Sequence, residues 1–499
     1  MRALSKSKLL SYLQCKKRLW LEIKQPELLE DSRATQAGFA TGHQVGDIAQ
    51  EIFDPAGTGE LIDPQSEGFD AAFSRTKELL GSFNPIFEAA ITAGGALALA
   101  DIMLPMNKRG RPKWRMIEVK SSTSVKDYHR NDIAVQAYIA KKAKINVHKI
   151  ELACIDSSWT YKGKHNYDGL LKTTDLTKEA FDRSLEVQRW VDGAQKVISK
   201  RKEPRISTGS HCNEPYRCGF YEYCSKKEPQ AKYPVDWLPN IRTKALKQVI
   251  DEEGISDLRE VPREMLNERQ LRVRQHSISG KVYFDQVGAN ADLEQYKLPA
   301  YFLDFETVNL AIPIWRGRRP YQQVTFQFSL HKVGRNGKLS HTEFLDLSGK
   351  DPARPFAEKL IKACGARGPI FVYNKGFESA RVKELAKRFP KLKKPLQAFN
   401  ERMVDLLVVA QERYYHPSQH GSWSIKAVLP AIAPDLNYQD LEGVQDGGMA
   451  IEAYSEAIAE GTSTERKEEI KSQLLEYCKL DTLALVRLWE FFGGSRTIF

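Results

Sequence analysis

Two mixed-sheet α/β units joined by a mostly helical connector are the architecture this sequence predicts. With 499 residues, the chain exceeds the roughly 100 to 200 residues that one core usually organises. Strand-like apolar runs followed by helical patterns occur in two separate blocks, an order that builds helices against a sheet. Between the blocks lies a Pro-punctuated stretch whose apolar residues keep helical spacing. The boundaries read as 1–227, 228–295 and 296–499.

In the first unit, residues 7–21 read as a helix with Leu9, Leu10, Leu13, Trp20 and Leu21 on one stripe. The runs 96–104 and 115–120 read as a strand hairpin joined by the basic loop 107–113. A helix over 132–142, a strand over 150–155 and a long amphipathic helix over 177–200 follow. Leu246, Val249, Ile250 and Ile255 are the apolar anchors of the connector. The second unit reads as strands at 300–305, 325–331, 342–346 and 369–373, with helices at 378–388, 404–413 and 468–491. There is no internal repeat.

Hydrophobic residues at 41% against 28% charged ones indicate a folded chain. The formal net charge of +11 favours a polyanionic partner. Apolar runs fall well short of the ~20 residues a spanning helix needs. The start, Met1-Arg2-Ala3-Leu4-Ser5-Lys6, lacks the apolar core of a secretory signal. No membrane association and a cytoplasmic location are therefore expected.

In Leu99-Ala100-Asp101-Ile102-Met103 a carboxylate interrupts an apolar strand, where an uncompensated charge is costly. The next strand reads Ile117-Glu118-Val119-Lys120, and its period of two puts Glu118 and Lys120 on one face. Two carboxylates suit a hard cation such as Mg²⁺ or Mn²⁺, and the lysine can polarise water and a phosphate oxygen. These residues resemble the RecB-like branch of the PD-(D/E)XK nucleases. The resemblance implies a restriction-endonuclease-like fold, metal binding by Asp101 and Glu118, and a catalytic Lys120. Two positions depart from the family pattern. Its early-helix histidine, four residues after a glycine, is Gly46 after Gly42 here, with His43 out of register. Its Gln and Tyr four apart become Gln136 and Tyr138, two apart and on different helical faces.

Of the seven cysteines, Cys154, Cys364 and Cys478 stand singly among apolar residues and read as inert buried thiols. Cys212, Cys218 and Cys224 are evenly spaced, and Cys15 lies far upstream. In a cytoplasmic chain thiolate ligation is preferred to a disulfide, so the four can hold zinc or an iron-sulfur cluster. No C-x₂₋₄-C hook typical of zinc occurs. One distant cysteine with three near the domain end resembles the staple of CRISPR-associated RecB-like exonucleases. That resemblance implies a cluster of the [4Fe–4S] type clasping the two ends of the nuclease unit, with zinc as the alternative.

In Tyr301-Phe302-Leu303-Asp304-Phe305-Glu306 two acids share one strand face. Downstream, Tyr477 and Asp481 share a helical face. Between them, a strand and turn from Ile370 to Asn374 lead into a helix carrying Glu378. Clustered carboxylates can clamp two metals for phosphodiester hydrolysis. The set resembles the tyrosine variant of the DnaQ-like DEDD exonucleases, which have a ribonuclease H-like fold. The resemblance implies metal binding by Asp304, Glu306, Glu378 and Asp481, and a water-orienting Tyr477. Glu378 departs from the family's Asp by one methylene. Asp405 reads as a helix N-cap or an auxiliary ligand. The segments around Trp315, Gln327 to His331 and Ser422 to Ile425 also resemble a bacterial family in which a DnaQ-like unit follows a RecB-like one.

Lys108, Arg109, Arg111, Lys113 and Arg115, with Arg316, Arg318 and Arg319, read as backbone-holding loops or solvated tips. Trp114 and Trp315 read as core residues before base-stacking ones. The functional expectation is a metal-dependent nuclease with two sites, acting on DNA in preference to RNA. The alternative is a nucleic-acid-binding or scaffold protein with an inactive second module.

Overall fold

The structure is a computed structural model describing residues 3–30, 33–241 and 244–494. Its chain divides into two α/β units, Met1–Pro229 with Leu310–Tyr321, and Gln230–Asn309 with Gln322–Phe499.

The first unit holds β1 (Leu4–Ser5), β2 (Glu60–Leu61), β3 (Ile86–Ala93), β4 (Ala96–Pro105), β5 (Trp114–Lys120), β6 (Val147–Ile155) and β7 (Leu171–Asp175). The sheet order is β2-β3-β4-β5-β6-β7, with β1 parallel to β4. β3 to β5 form an antiparallel meander, and β5 runs parallel to β6. The parallel crossover from β5 to β6 runs through the helix Asp127–Lys142, buried along Ile133 to Ala140. The expected hairpin of 96–104 with 115–120 is β4 with β5. The helix expected over 7–21 is two helices, Lys6–Gln14 and Lys16–Lys24, because Cys15 is extended with φ −160° and ψ 124°. The helix expected over 177–200 is likewise split, into Thr177–Asp182 and Ser184–Ile198, with Arg183 outside both.

The second unit adds β8 (Tyr283–Phe284), β9 (Ala300–Val308), β10 (Val324–Val333), β11 (Leu339–Leu345), β12 (Ile370–Val372), β13 (Met403–Asp405) and β14 (Tyr414–Tyr415). Five of them form a sheet in the order β11-β10-β9-β12-β13, and β8 pairs with β14 separately. β9 to β11 are antiparallel, while β12 is parallel to both β9 and β13. Alternation along the central β9 sends Tyr301, Leu303 and Phe305 into one core and Ala300 and Phe302 into another, beside Trp489 of the helix Thr464–Phe491. Asp304 and Glu306 continue the second face.

Two segments depart from the sequence-based boundaries. The stretch read as a connector is part of the second unit, since Leu246, Leu258, Val273 and Leu293 share a core with Phe302, Phe371 and Trp489. Its apolar anchors are spent on burial, which a free linker would not allow. Leu310–Tyr321 joins the first unit, where Ala311 packs with Val45, Ile155 and Tyr161. Its backbone is tied there by the Gly317 N–H donating to Tyr161 O at 2.8 Å and the Tyr161 N–H donating to Arg318 O at 2.9 Å. No helix among the described residues is long and apolar enough to cross a membrane.

Candidate active sites

In the first unit, β4 and β5 bring Asp101, Glu118 and Lys120 into one charged cluster. Asp101 Oδ2 accepts the Val119 N–H at 2.7 Å. Glu88 enters from β3, between Phe87 opposite Ile102 and Ala89 opposite Ala100 in a regular register, with φ at 54°. The helix Asp127–Lys142 contributes Asp132 and Gln136, one turn apart on the same face. The helix Lys6–Gln14 contributes Lys6, whose Nζ lies 2.8 Å from Glu118 Oε1 and 3.1 Å from Asp132 Oδ1. Lys120 Nζ is 2.7 Å from Asp132 Oδ2 and also contacts Glu118 Oε1. Gln136 donates to Glu118 Oε2, so both oxygens of that carboxylate are engaged.

Burial, then Asp101 and Asp132, push Glu118 up to about 7. Burial raises Asp101 too. At Asp132 burial also acts upward, but Lys120 and Lys6 outweigh it and hold the carboxyl below its usual range. Four carboxylates stand against two ammonium groups. The remaining two negative charges match one divalent cation, so the donor set fits a hard metal at Asp101 and Glu118.

Lys6, Glu88 and Asp132 were not among the sequence candidates. Asp132 had a signal, an acid one helical turn from Gln136. Tyr138 is separate, donating to Gly94 O at 3.0 Å and Gln188 Oε1 at 2.6 Å. His43 is exposed on the helix Arg33–Phe53. Lys108, Arg109, Arg111 and Lys113 are exposed, while Arg115 pairs with Glu151. Trp114, Trp315 and Arg318 are buried.

Cys15, Cys212, Cys218 and Cys224 line one narrow cavity, all as free thiols. The helix break at Cys15 is fixed to the cysteine loop by Gln14, whose Nε2 donates to His211 O at 3.0 Å and Tyr216 O at 2.9 Å. Lys17 lies beside Cys224 and Arg18 beside Cys218, cations suited to an anionic thiolate assembly. Among the described residues, the three-ligand set with atoms mutually within 4.8 Å is Asp304, Glu306 and Cys478. No three of the staple thiols meet that spacing, whereas Zn–S bonds of about 2.3 Å bring tetrahedral sulfurs to about 3.8 Å from one another. The four soft donors fit a thiolate-bound zinc or an iron-sulfur cluster.

In the second unit, Asp304, Glu306, Glu378, Tyr477 and Asp481 line one cleft of about 400 Å³. β9 supplies the first two, and the helix Thr464–Phe491 supplies the last two, one turn apart. Glu378 lies in the first turn of Lys375–Arg388, after Asn374 in the left-handed region at φ 73°. That junction is held by Asp405, whose carboxylate accepts the N–H groups of Asn374 at 3.0 Å, Lys375 at 2.9 Å and Leu407 at 3.0 Å. Asp405 is thus a cap at the N-termini of two helices.

Burial, then Asp481, Glu306 and Glu378, raise Asp304 well above the carboxylate range, and burial followed by Asp481 does the same to Glu306. Burial pushes Glu378 up to about 8. At Asp481 burial carries the carboxyl to about 6 against the hydrogen bond from Tyr438 and the charge of Lys426. The Tyr438 hydroxyl donates to Asp481 Oδ1 at 2.6 Å. Glu378 is 3% exposed, and its Oε2 has no hydrogen-bond partner. An orphaned buried acid beside three others is what a cation site leaves when its ligands are gathered. Cys478, read from sequence as inert, lies with its Sγ 3.7 Å from Asp304 Oδ2. Tyr438 and Lys426 were missed, since no spacing rule joins them to the acidic motifs.

A family model described as a domain of unknown function (DUF2779) matches residues 301–424. The matched span contains Asp304, Glu306, Glu378 and Asp405, and stops before Tyr477 and Asp481. No curated protein matches the chain.

Proposed function

We propose that the chain is a metal-dependent nuclease that hydrolyses phosphodiester bonds, with DNA preferred to RNA. The observation that carries this reading is the second cleft, where Asp304, Glu306, Glu378 and Asp481 converge and one buried carboxylate oxygen lacks any partner. Divalent cations, Mg²⁺ or Mn²⁺, supply the charge that activates water and stabilises a leaving oxygen when bound at such carboxylates. Asp304, Glu306, Glu378 and Asp481 would hold them. Tyr477, one turn from Asp481, is placed to orient the attacking water.

The first cluster supports the same chemistry with a different division of labour. Asp101 and Glu118 would hold the cation, and Lys120 presents an ammonium group to water and phosphate. Asp132 and Glu118 keep Lys120 charged and fixed. Cys15, Cys212, Cys218 and Cys224 would hold an iron-sulfur cluster of the [4Fe–4S] type, with a stapling role. The resemblance to RecB-like and DnaQ-like nucleases agrees with both assignments.

The test is cleavage of end-labelled single- and double-stranded DNA and RNA with Mg²⁺ or Mn²⁺, comparing wild type, Lys120→Ala and the Asp304→Ala/Glu306→Ala double variant. Each lesion is expected to remove one set of products. A folded wild-type protein that cleaves none of these substrates would sink the reading. A second reading, in which the second unit only binds nucleic acid, draws support from the Tyr438 hydroxyl that occupies Asp481 Oδ1. An unchanged product set in the double variant would favour it.

A further inference from the structure

We propose that Lys426 is the phosphate-binding residue of the second cleft, its ammonium group taking the phosphate of a bound nucleotide. This rests on the reading of that cleft as a nucleotide-processing site. The cleft gathers four carboxylates, yet among the described residues no ion pair joins Lys426 to any of them, although it lines the same wall. A lysine free to swing would close on the nearest acid. Lys426 is held off instead. Its Nζ donates to Gln445 O at 2.6 Å and stands 4.9 Å from the Tyr438 ring centroid and 5.4 Å from that of Tyr477.

The same two tyrosines therefore serve both charges. Their faces carry the cation, and the Tyr438 hydroxyl carries Asp481. This keeps an ammonium and a carboxylate in one cleft without letting them neutralise one another. Of the three donors on an ammonium group one is spent on Gln445, which leaves two for a ligand. The first turn of the helix Ile425–Ile432 borders the cleft at Ile425 and Lys426, so the positive end of that helix adds to the field. A compact point charge with rotatable donors, in a cleft whose carboxylates would hold metal, suits a phosphate oxygen.

The arrangement makes two predictions of opposite sign, which a merely structural role would not. Lys426 attracts phosphate and repels metal cations. In the full chain, Lys426→Met is expected to weaken thymidine 5′-monophosphate binding by about tenfold or more, measured by calorimetry with Mn²⁺ present. Binding of thymidine, which lacks the phosphate, should not change. Mn²⁺ affinity, followed by electron paramagnetic resonance without nucleotide, should hold or tighten. Lys426→Arg should retain most of the monophosphate binding.

Unchanged monophosphate affinity in Lys426→Met overturns the proposal, as does weakening of Mn²⁺ and monophosphate together. Wild-type protein that binds no monophosphate overturns it whether or not it cleaves. Wild-type protein that binds the monophosphate through Lys426 yet shows no hydrolysis upholds the phosphate site and sinks the catalytic reading of the cleft.

Discussion

The two acidic centres bury carboxylates by opposite means. In the first unit Lys6 and Lys120 thread between Glu118 and Asp132, so half of the carboxylate charge is cancelled inside the protein. In the second, Asp304, Glu306, Glu378 and Asp481 gather without a direct ion pair to Lys426 among the described residues, relieved by the Tyr438 hydroxyl, the Cys478 thiol and the fields of Lys426 and Arg381. The first centre is preassembled by its own ions. The second is complete only when protons or cations come from outside, and the same residue type therefore stabilises one unit and strains the other.

The largest effect that tests this contrast is Lys120→Ala. It should abolish first-site cleavage and destabilise the first unit, because Glu118 and Asp132 are left to share the single ammonium of Lys6. Breaking a buried pair costs about 3 to 5 kcal/mol, and Lys120, with its side chain 25% exposed, belongs at the lower end. Chemical denaturation of the folded variant measures it. An unaltered midpoint would mean that the lysines do not balance the cluster.

Next in size is the staple. Anaerobically purified protein should be brown with broad absorption near ~400 nm. Cys15→Ser should bleach it and lower the unfolding midpoint of the first unit, while Cys364→Ser should do neither. Stoichiometric zinc without iron in elemental analysis would contradict the cluster.

The second centre should respond with the opposite sign. In metal-free protein Asp304→Asn removes one of four crowded charges and is expected to raise the melting temperature by about 2 to 4 °C. The pH dependence follows the same logic. Glu378 at about 8 and Asp481 at about 6 lie above the ordinary carboxyl range. Their contribution is fully present at low pH, below the unfolded-state values, and is lost as pH rises through the folded-state values. With chelator, the melting temperature of the second unit should fall between about pH 4 and 8, and Mn²⁺ should flatten the decline. At Asp132, depressed by its lysines, the contribution runs the other way and is lost as pH falls.

The smallest expected effect is at Asp405. Asp405→Ala should cost about 1 kcal/mol as a lost helix cap and loosen the helix start that carries Glu378. A loss of Mn²⁺ affinity larger than the loss of stability would identify the cap as the support of the metal site.

The candidate-site motifs were legible where strand or helix periodicity joins residues close in sequence. Glu118 with Lys120, Asp304 with Glu306 and Tyr477 with Asp481 are such pairs. Lys6 was not, because its partner Glu118 is 112 positions away and the intervening chain carries no spacing signal. Glu88 was hidden because the charges that face it, Glu118, Lys6 and Lys120, lie on other elements with no spacing signal to join them. Lys426 and Tyr438 come from segments without acidic motifs, and their role depends on where the helix Thr464–Phe491 lies. The helical character of the connector was legible, but its packing into the second unit's core was not, because proline punctuation marks turns and says nothing of a core. Its buried leucines were visible, but their partners in β9 and β12 were not.

The helix Lys6–Gln14 is nine residues long, about 13 Å at 1.5 Å per residue. Its first residue is an ammonium of the acidic centre, and the residue just after its last is a thiol of the staple. One rigid rod therefore ends in a charge at one side and a redox-capable sulfur at the other. Because Leu4–Ser5 pairs with β4 and Gln14 donates to His211 O and Tyr216 O, the rod is tied to the sheet just before Lys6 and to the cysteine loop just before Cys15.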